Sequence, residues 1–114
     1  MRTIYKYPIP FLEDFTIDLP KGAEVIRVDN VDGHLFIWAV VDTEAPMEPR
    51  QFHGRKTGSE TPAVPENVRY IGCAGIHIQM ELMLYFFEPT EEQRNKEQRQ
   101  AAAQLEYEQG KHWR

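Results

Sequence analysis

A single dipeptide, Asp32-Gly33, most limits what this chain can fold into. It lies between two apolar-rich runs within Ala23–Asp42, AEVIRVDNVDGHLFIWAVVD. Asp-Gly suits the two central positions of a type I′ turn, where φ is positive, and that turn matches the twist of an antiparallel hairpin. A two-residue loop also fixes the register. Val31 should face His34, Val28 Ile37, Arg27 Trp38, Ile26 Ala39 and Val25 Val40. Alternation then puts Ile26, Val28, Leu35, Ile37 and Ala39 on a core face. Val25, Arg27, Asp29, Phe36, Trp38 and Val40 share the other. The second run, LFIWAVV, is apolar on both sides, which predicts a central strand.

The flanking segments carry the same β signal. Thr3–Ile9 and Asp14–Leu19 alternate apolar and polar residues and read as strands, the first closed by Pro8 and Pro10 at a sheet edge. Pro20-Lys21-Gly22 reads as a turn with proline at its second position. Residues 42–50 hold Pro46 and Pro49 and read as a loop. Gln51–Lys56 is a weaker strand, and the proline- and glycine-bearing run 57–67 a long exposed loop. Val68–Ala74 and Met80–Glu88 close the β region, with Gly72 and Gly75 marking a bulge or bend between them. At Pro89 the character changes. Thr90 as N-cap, Gln93 three residues on and acids in the first turn start a helix. It should run to about Gln109, with Gly110 as its stop. Leu105 is its only large aliphatic residue, so a solvated helix is expected. His112 and Trp113 follow it. The expected fold is therefore mainly β, a small antiparallel sandwich or partly open barrel over residues 1–88, with a helical tail over 89–114.

Composition narrows the function classes. The net charge of −5 argues against general nucleic-acid binding. One cysteine, Cys73, allows no internal disulfide, fits a reducing compartment and reads as a small buried hydrophobe. No apolar run reaches membrane-spanning length, and the N-terminal MRTIYKYP lacks the apolar stretch of a signal peptide. A cytoplasmic, non-membrane protein is expected. His34, His53, His77 and His112 show no ligand spacing with one another, with Cys73 or with carboxylates. No metal, cofactor or catalytic group is predicted, and the chain reads as a non-enzyme.

Two stretches suggest binding. Residues 50–59, RQFHGRKTGS, gather Arg50, His53, Arg55, Lys56, Thr57 and Ser59 with two glycines. Cations, hydroxyls and flexible backbone N–H groups are what a phosphate or nucleotide-like ligand needs. Residues 1–88 as a whole hold thirteen acids against eight bases, so this cluster stands out. Its charges are expected near water. The second stretch is the hairpin's other face, where Arg27 opposite Trp38 can form a cation–π stack beside Phe36.

Tyr5–Ile9 (YKYPI), Leu19–Ala23 (LPKGA), Leu35–Asp42 (LFIWAVVD), Thr57-Gly58, Tyr70–Gly72 (YIG) and Phe87-Glu88 together resemble a family of short, uncharacterised bacteriophage and prophage proteins. The resemblance covers about residues 3–88. It implies that the tail is an addition and that the setting is the cytoplasm of a host bacterium. It also implies an accessory role, in counter-defence or host takeover, with a host defence protein or a nucleotide-like signal as ligand. The competing expectation is an assembly protein, homo-oligomeric in some form, that makes contacts through the sheet face and tail helix.

Overall fold

The computed structural model describes residues 1–111, with side chains to Tyr107. Seven strands precede one helix: β1 Arg2–Ile9, β2 Asp14–Pro20, β3 Glu24–Val31, β4 His34–Asp42, β5 Met47–Lys56, β6 Val68–Ile78, β7 Met80–Pro89 and α1 Glu91–Lys111. They form a three-stranded sheet, β1-β4-β3, and a four-stranded sheet, β2-β5-β7-β6, with antiparallel pairing throughout. The sheets enclose one core and do not close into a barrel. The mainly β architecture with a C-terminal helix follows the sequence reading.

The hairpin turn is where Asp-Gly puts it. Asp32 has φ 52° and Gly33 φ 85°, both positive as a type I′ turn requires. The register holds from Val31–His34 to Arg27–Trp38 and then breaks. A β-bulge at Ile26 makes the next pair Val25–Ala39 instead of Ile26–Ala39. The extra residue reverses the expected facing: Val25 enters the core and Ile26 is exposed. β4 is central as expected, with Leu35, Ile37, Ala39 and Val41 all buried.

Three further expectations are corrected. β5 starts at Met47 and pairs Met47–His53 with β2, so the supposed loop at 47–50 is strand, and Pro49 is accommodated within it. The turn after β2 closes with Ala23 N–H donating to Pro20 O at 3.0 Å, so Pro20 opens that turn and Gly22, with φ 81°, takes the third position. Cys73 is exposed.

The sheets approach most closely where β6 passes β3. Gly72 has φ 150°, and a Cβ there would lie 2.9 Å from Val28 Cγ2. Any side chain there would force Val28 to shift. One step along, Asn30 Nδ2 donates to Gly75 O at 2.8 Å, tying the two edges together.

α1 is capped as read: Gln93 N–H donates to Thr90 Oγ1 at 3.2 Å. Its first turn is fastened to the body by Thr90 N–H to Asn67 O, 2.9 Å, and by Arg94 reaching Glu88. Beyond Arg94 the side chains described are exposed, and the helix continues through Gly110, the residue expected to stop it. His112 and Trp113 lie outside the described residues. Among the described residues no helix is long and apolar enough to cross a membrane.

Two outcomes test this packing in urea unfolding. Gly72→Ala should cost roughly 3 kcal/mol, from the strained φ and the Val28 overlap together, whereas Gly58→Ala, with φ 79° but open space around it, should cost only about 1 kcal/mol. Truncation after Glu97 should leave stability within about 0.5 kcal/mol, because the solvated part of α1 buries almost nothing. Truncation after Glu88 should cost measurably more.

Candidate functional site

The cation-rich stretch at 50–59 does not keep its arginines at the surface, and for Arg50 the reason lies in strand alternation. Arg50, Phe52 and Gly54 are in phase on β5 and all face inward. Phe86 and Glu88 are likewise in phase on β7 and buried. Arg50, only 2% exposed, therefore meets Glu88 inside the protein, Nη2 to Oε2 at 2.7 Å. Its Nη1 donates to Ala23 O at 2.9 Å. Arg69 of β6 donates Nε and Nη2 to Glu88 Oε1 at 3.1 and 2.7 Å, and Arg94 Nη1 of α1 lies 3.4 Å from Oε2. One buried carboxylate thus holds three guanidinium groups from three elements.

Arg55 is also spent internally. It is buried, donating Nε to Ala63 O (2.8 Å) and Nη1 to Glu13 O (2.8 Å) and Gly54 O (3.0 Å), and it pairs with Asp14 at 3.1 Å. These bonds staple the β1–β2 connection and the 57–67 loop to β5. His53 Nδ1 lies 2.7 Å from Asp14 Oδ1, its register partner on β2. That contact is the largest cause holding the Asp14 carboxyl below its ordinary range; desolvation opposes it, and the Arg55 guanidinium adds to the lowering. Arg50 and Arg55 were expected near water and are not. Lys56 and Thr57 are exposed and Ser59 is partly so, leaving one cation and two hydroxyls on the surface of that stretch.

The expected stack of Arg27 on Trp38 is present. On the outer face of the three-stranded sheet, Lys6, Trp38 and Arg27 stand in one cross-strand row, and Pro8, Phe36 and Asp29 in the next. The Arg27 guanidinium lies 4.5 Å from the Trp38 ring centroid, and Lys6 Nζ 4.6 Å from that of Phe36. The rings are 6.3 Å apart and half-buried. Arg27 also pairs with Asp29, whose carboxyl is held below its usual range chiefly by that hydrogen bond. Exposed Ile4 and Ile26 flank the aromatics. The result is a ridge with an aromatic centre, cationic lids and aliphatic margins, on a sheet held rigid by the core beneath.

The family model of a domain of unknown function, DUF7352, matches residues 1–97. The chain belongs to that family. The match passes Glu88 and enters α1, so the family includes the fastened start of the helix, which the resemblance had implied to be an addition. No curated protein and no solved structure matches the chain. Among the described residues no three His, Cys, Asp or Glu side chains are grouped to hold a metal ion.

The sequence reading missed Glu88, Arg69 and Arg94. The signal was present as a phase: an arginine two residues before Phe52 and a glutamate two after Phe86. Beginning β5 at Gln51 hid it.

Two measurements check this assignment. Arg55→Ala should cost about 2–4 kcal/mol in unfolding, because it removes three hydrogen bonds and an ion pair made by a buried guanidinium, while Lys56→Ala should stay within about 0.5 kcal/mol. Carboxyl NMR should find Asp14 titrating below the usual aspartate range, and His53→Ala should move it back up. Its depressed folded pKa means that its contribution to stability is present above the unfolded value and is lost as pH falls through the folded one. His53→Ala should therefore flatten the acid limb of the stability curve.

Proposed function

We propose that this chain is a non-enzymatic binding protein that holds a protein partner on the outer face of its three-stranded sheet. The observation that carries the reading is the Lys6–Phe36 and Arg27–Trp38 pairing, with Ile4 and Ile26 beside it. Aromatic residues and arginine are the residue types enriched where protein interfaces carry their binding energy. Here they are mounted on a rigid sheet, so little ordering cost is added on association.

A nucleotide-like ligand is the weaker reading. Arg50 and Arg55, two of the three cations that would have held its phosphates, are bonded internally, and the ring faces that would stack a base already carry Lys6 and Arg27. A partner surface that offers carboxylates to Lys6 and Arg27 and apolar groups to the margins fits better. The resemblance to phage and prophage proteins supports placing this activity in the cytoplasm of an infected or lysogenic bacterium, as a counter-defence or host-takeover factor.

Affinity capture from a phage-infected bacterial lysate, with variants compared side by side, tests the reading. The parent chain should retain one protein in near-stoichiometric amount. Trp38→Ala and Arg27→Glu should each lose at least tenfold of it at unchanged fold, and Arg99→Glu on the exposed helix should lose none. Equal capture by all four proteins, or no stoichiometric protein with the parent, would overturn the assignment. Calorimetric titration with linear and cyclic nucleotides should show no binding.

A further inference from the structure

Glu88 does not exhaust the arginines that surround it. Its oxygens take Arg50 Nη2, Arg69 Nε and Nη2, and Arg94 Nη1, yet these guanidinium groups carry more N–H donors than those bonds use. Arg50 Nη1 goes to Ala23 O. Arg50 Nε is buried and reaches no acceptor among the described residues. A buried donor left unmatched is costly, so this one calls for a partner.

All three arginines line one hollow of about 350 Å³, which the turn before β3 and the start of α1 complete. Arg50 lies deepest, its side chain 2% exposed, with Arg94 at 27% and Arg69 at 48% rising toward solvent. Thr90 also lines the hollow. Its Oγ1 accepts from Gln93 N–H, which leaves the hydroxyl proton to donate. The helix start adds its positive end. Two carboxylates, Glu24 and Glu91, stand exposed at the margin. The interior is rich in donors, and the rim limits how much negative charge can enter.

We infer that this hollow is a carboxylate-binding site, which takes a singly charged carboxylate, free or on an acidic peptide side chain, between Arg69 and Arg94 and above Arg50. The planar guanidinium groups that match Glu88 offer their remaining N–H groups to a second carboxylate. Three such groups around one buried carboxylate hold more positive charge than Glu88 cancels. Burial at the floor strengthens the attraction. Glu24 and Glu91 decide between anions, because their charges oppose a phosphate dianion more than a monoanion. The site shares no residue with the outer face of the three-stranded sheet, so it stands or falls apart from the partner reading above.

NMR of the arginine Nε–H groups reads the site in the full chain. Two probes are titrated separately at neutral pH and constant ionic strength: acetate, and an acidic tripeptide with blocked termini and one central glutamate. The tripeptide should shift the Arg50 Nε–H resonance saturably. A saturable shift with acetate as well assigns the site to free carboxylates, its absence to carboxylates presented on a protein, and either supports the inference. Arg94→Gln should weaken tripeptide binding at least tenfold, the scale of one charge-assisted hydrogen bond. Glu91→Gln removes a repelling rim charge and should tighten it about twofold. That variant decides the matter even if Arg94→Gln loosens the helix start. Trp38→Ala should change nothing, and inorganic phosphate should bind more weakly than the tripeptide. No saturable shift with either probe, tighter binding of phosphate, unchanged affinity in a folded Arg94→Gln, or no gain in Glu91→Gln would overturn the inference.

Discussion

Glu88 is the residue on which this structure turns. Fully buried, it accepts hydrogen bonds from Arg50 of β5, Arg69 of β6 and Arg94 of α1. A carboxylate taken out of water costs several kcal/mol unless its oxygens are filled by cationic donors, and here they are. The arrangement has a directional consequence that an apolar core lacks. β5, β6, β7 and the first turn of α1 must all arrive in one register for the charges to meet, so the pair specifies how the four-stranded sheet and its helix assemble. Through Arg50 Nη1 and Ala23 O it also grips the turn before β3, in the other sheet.

That use of charge decides which surfaces remain for binding. An acidic chain with few bases commits Arg50, Arg55, Arg69 and Arg94 to its own carboxylates and carbonyls. Lys6 and Arg27 are different, lying over aromatic rings at the surface, Arg27 beside the exposed carboxylate of Asp29.

Much of the fold was legible because its signals are local. Asp32-Gly33 dictated the turn, alternation dictated the strands, and Thr90 dictated the helix start. The bulge at Ile26 was not legible, since nothing in EVIRV marks where the extra residue falls and only packing against the second sheet selects Val25 over Ile26. The Arg27–Trp38 stack could be read directly, because hairpin register alone makes them opposite. The burial of Arg50 and Arg55 was not legible for the converse reason: whether they face water depends on strand phase and on partners 38 and 8 residues away, Glu88 and Ala63. Counting cations in a window cannot see a carboxylate two strands over.

A double-mutant cycle on Arg50 and Glu88 tests the central claim most directly. Urea unfolding would be measured for Arg50→Met, Glu88→Gln and the double variant. Each single change should cost about 3–5 kcal/mol, because each leaves a buried polar or charged partner unmatched. The double variant should recover a good part of that, with a coupling of at least ~1.5 kcal/mol between the two sites. Near-neutral single variants, or costs that simply add, would contradict the claim that the buried pair governs the assembly of the sheet.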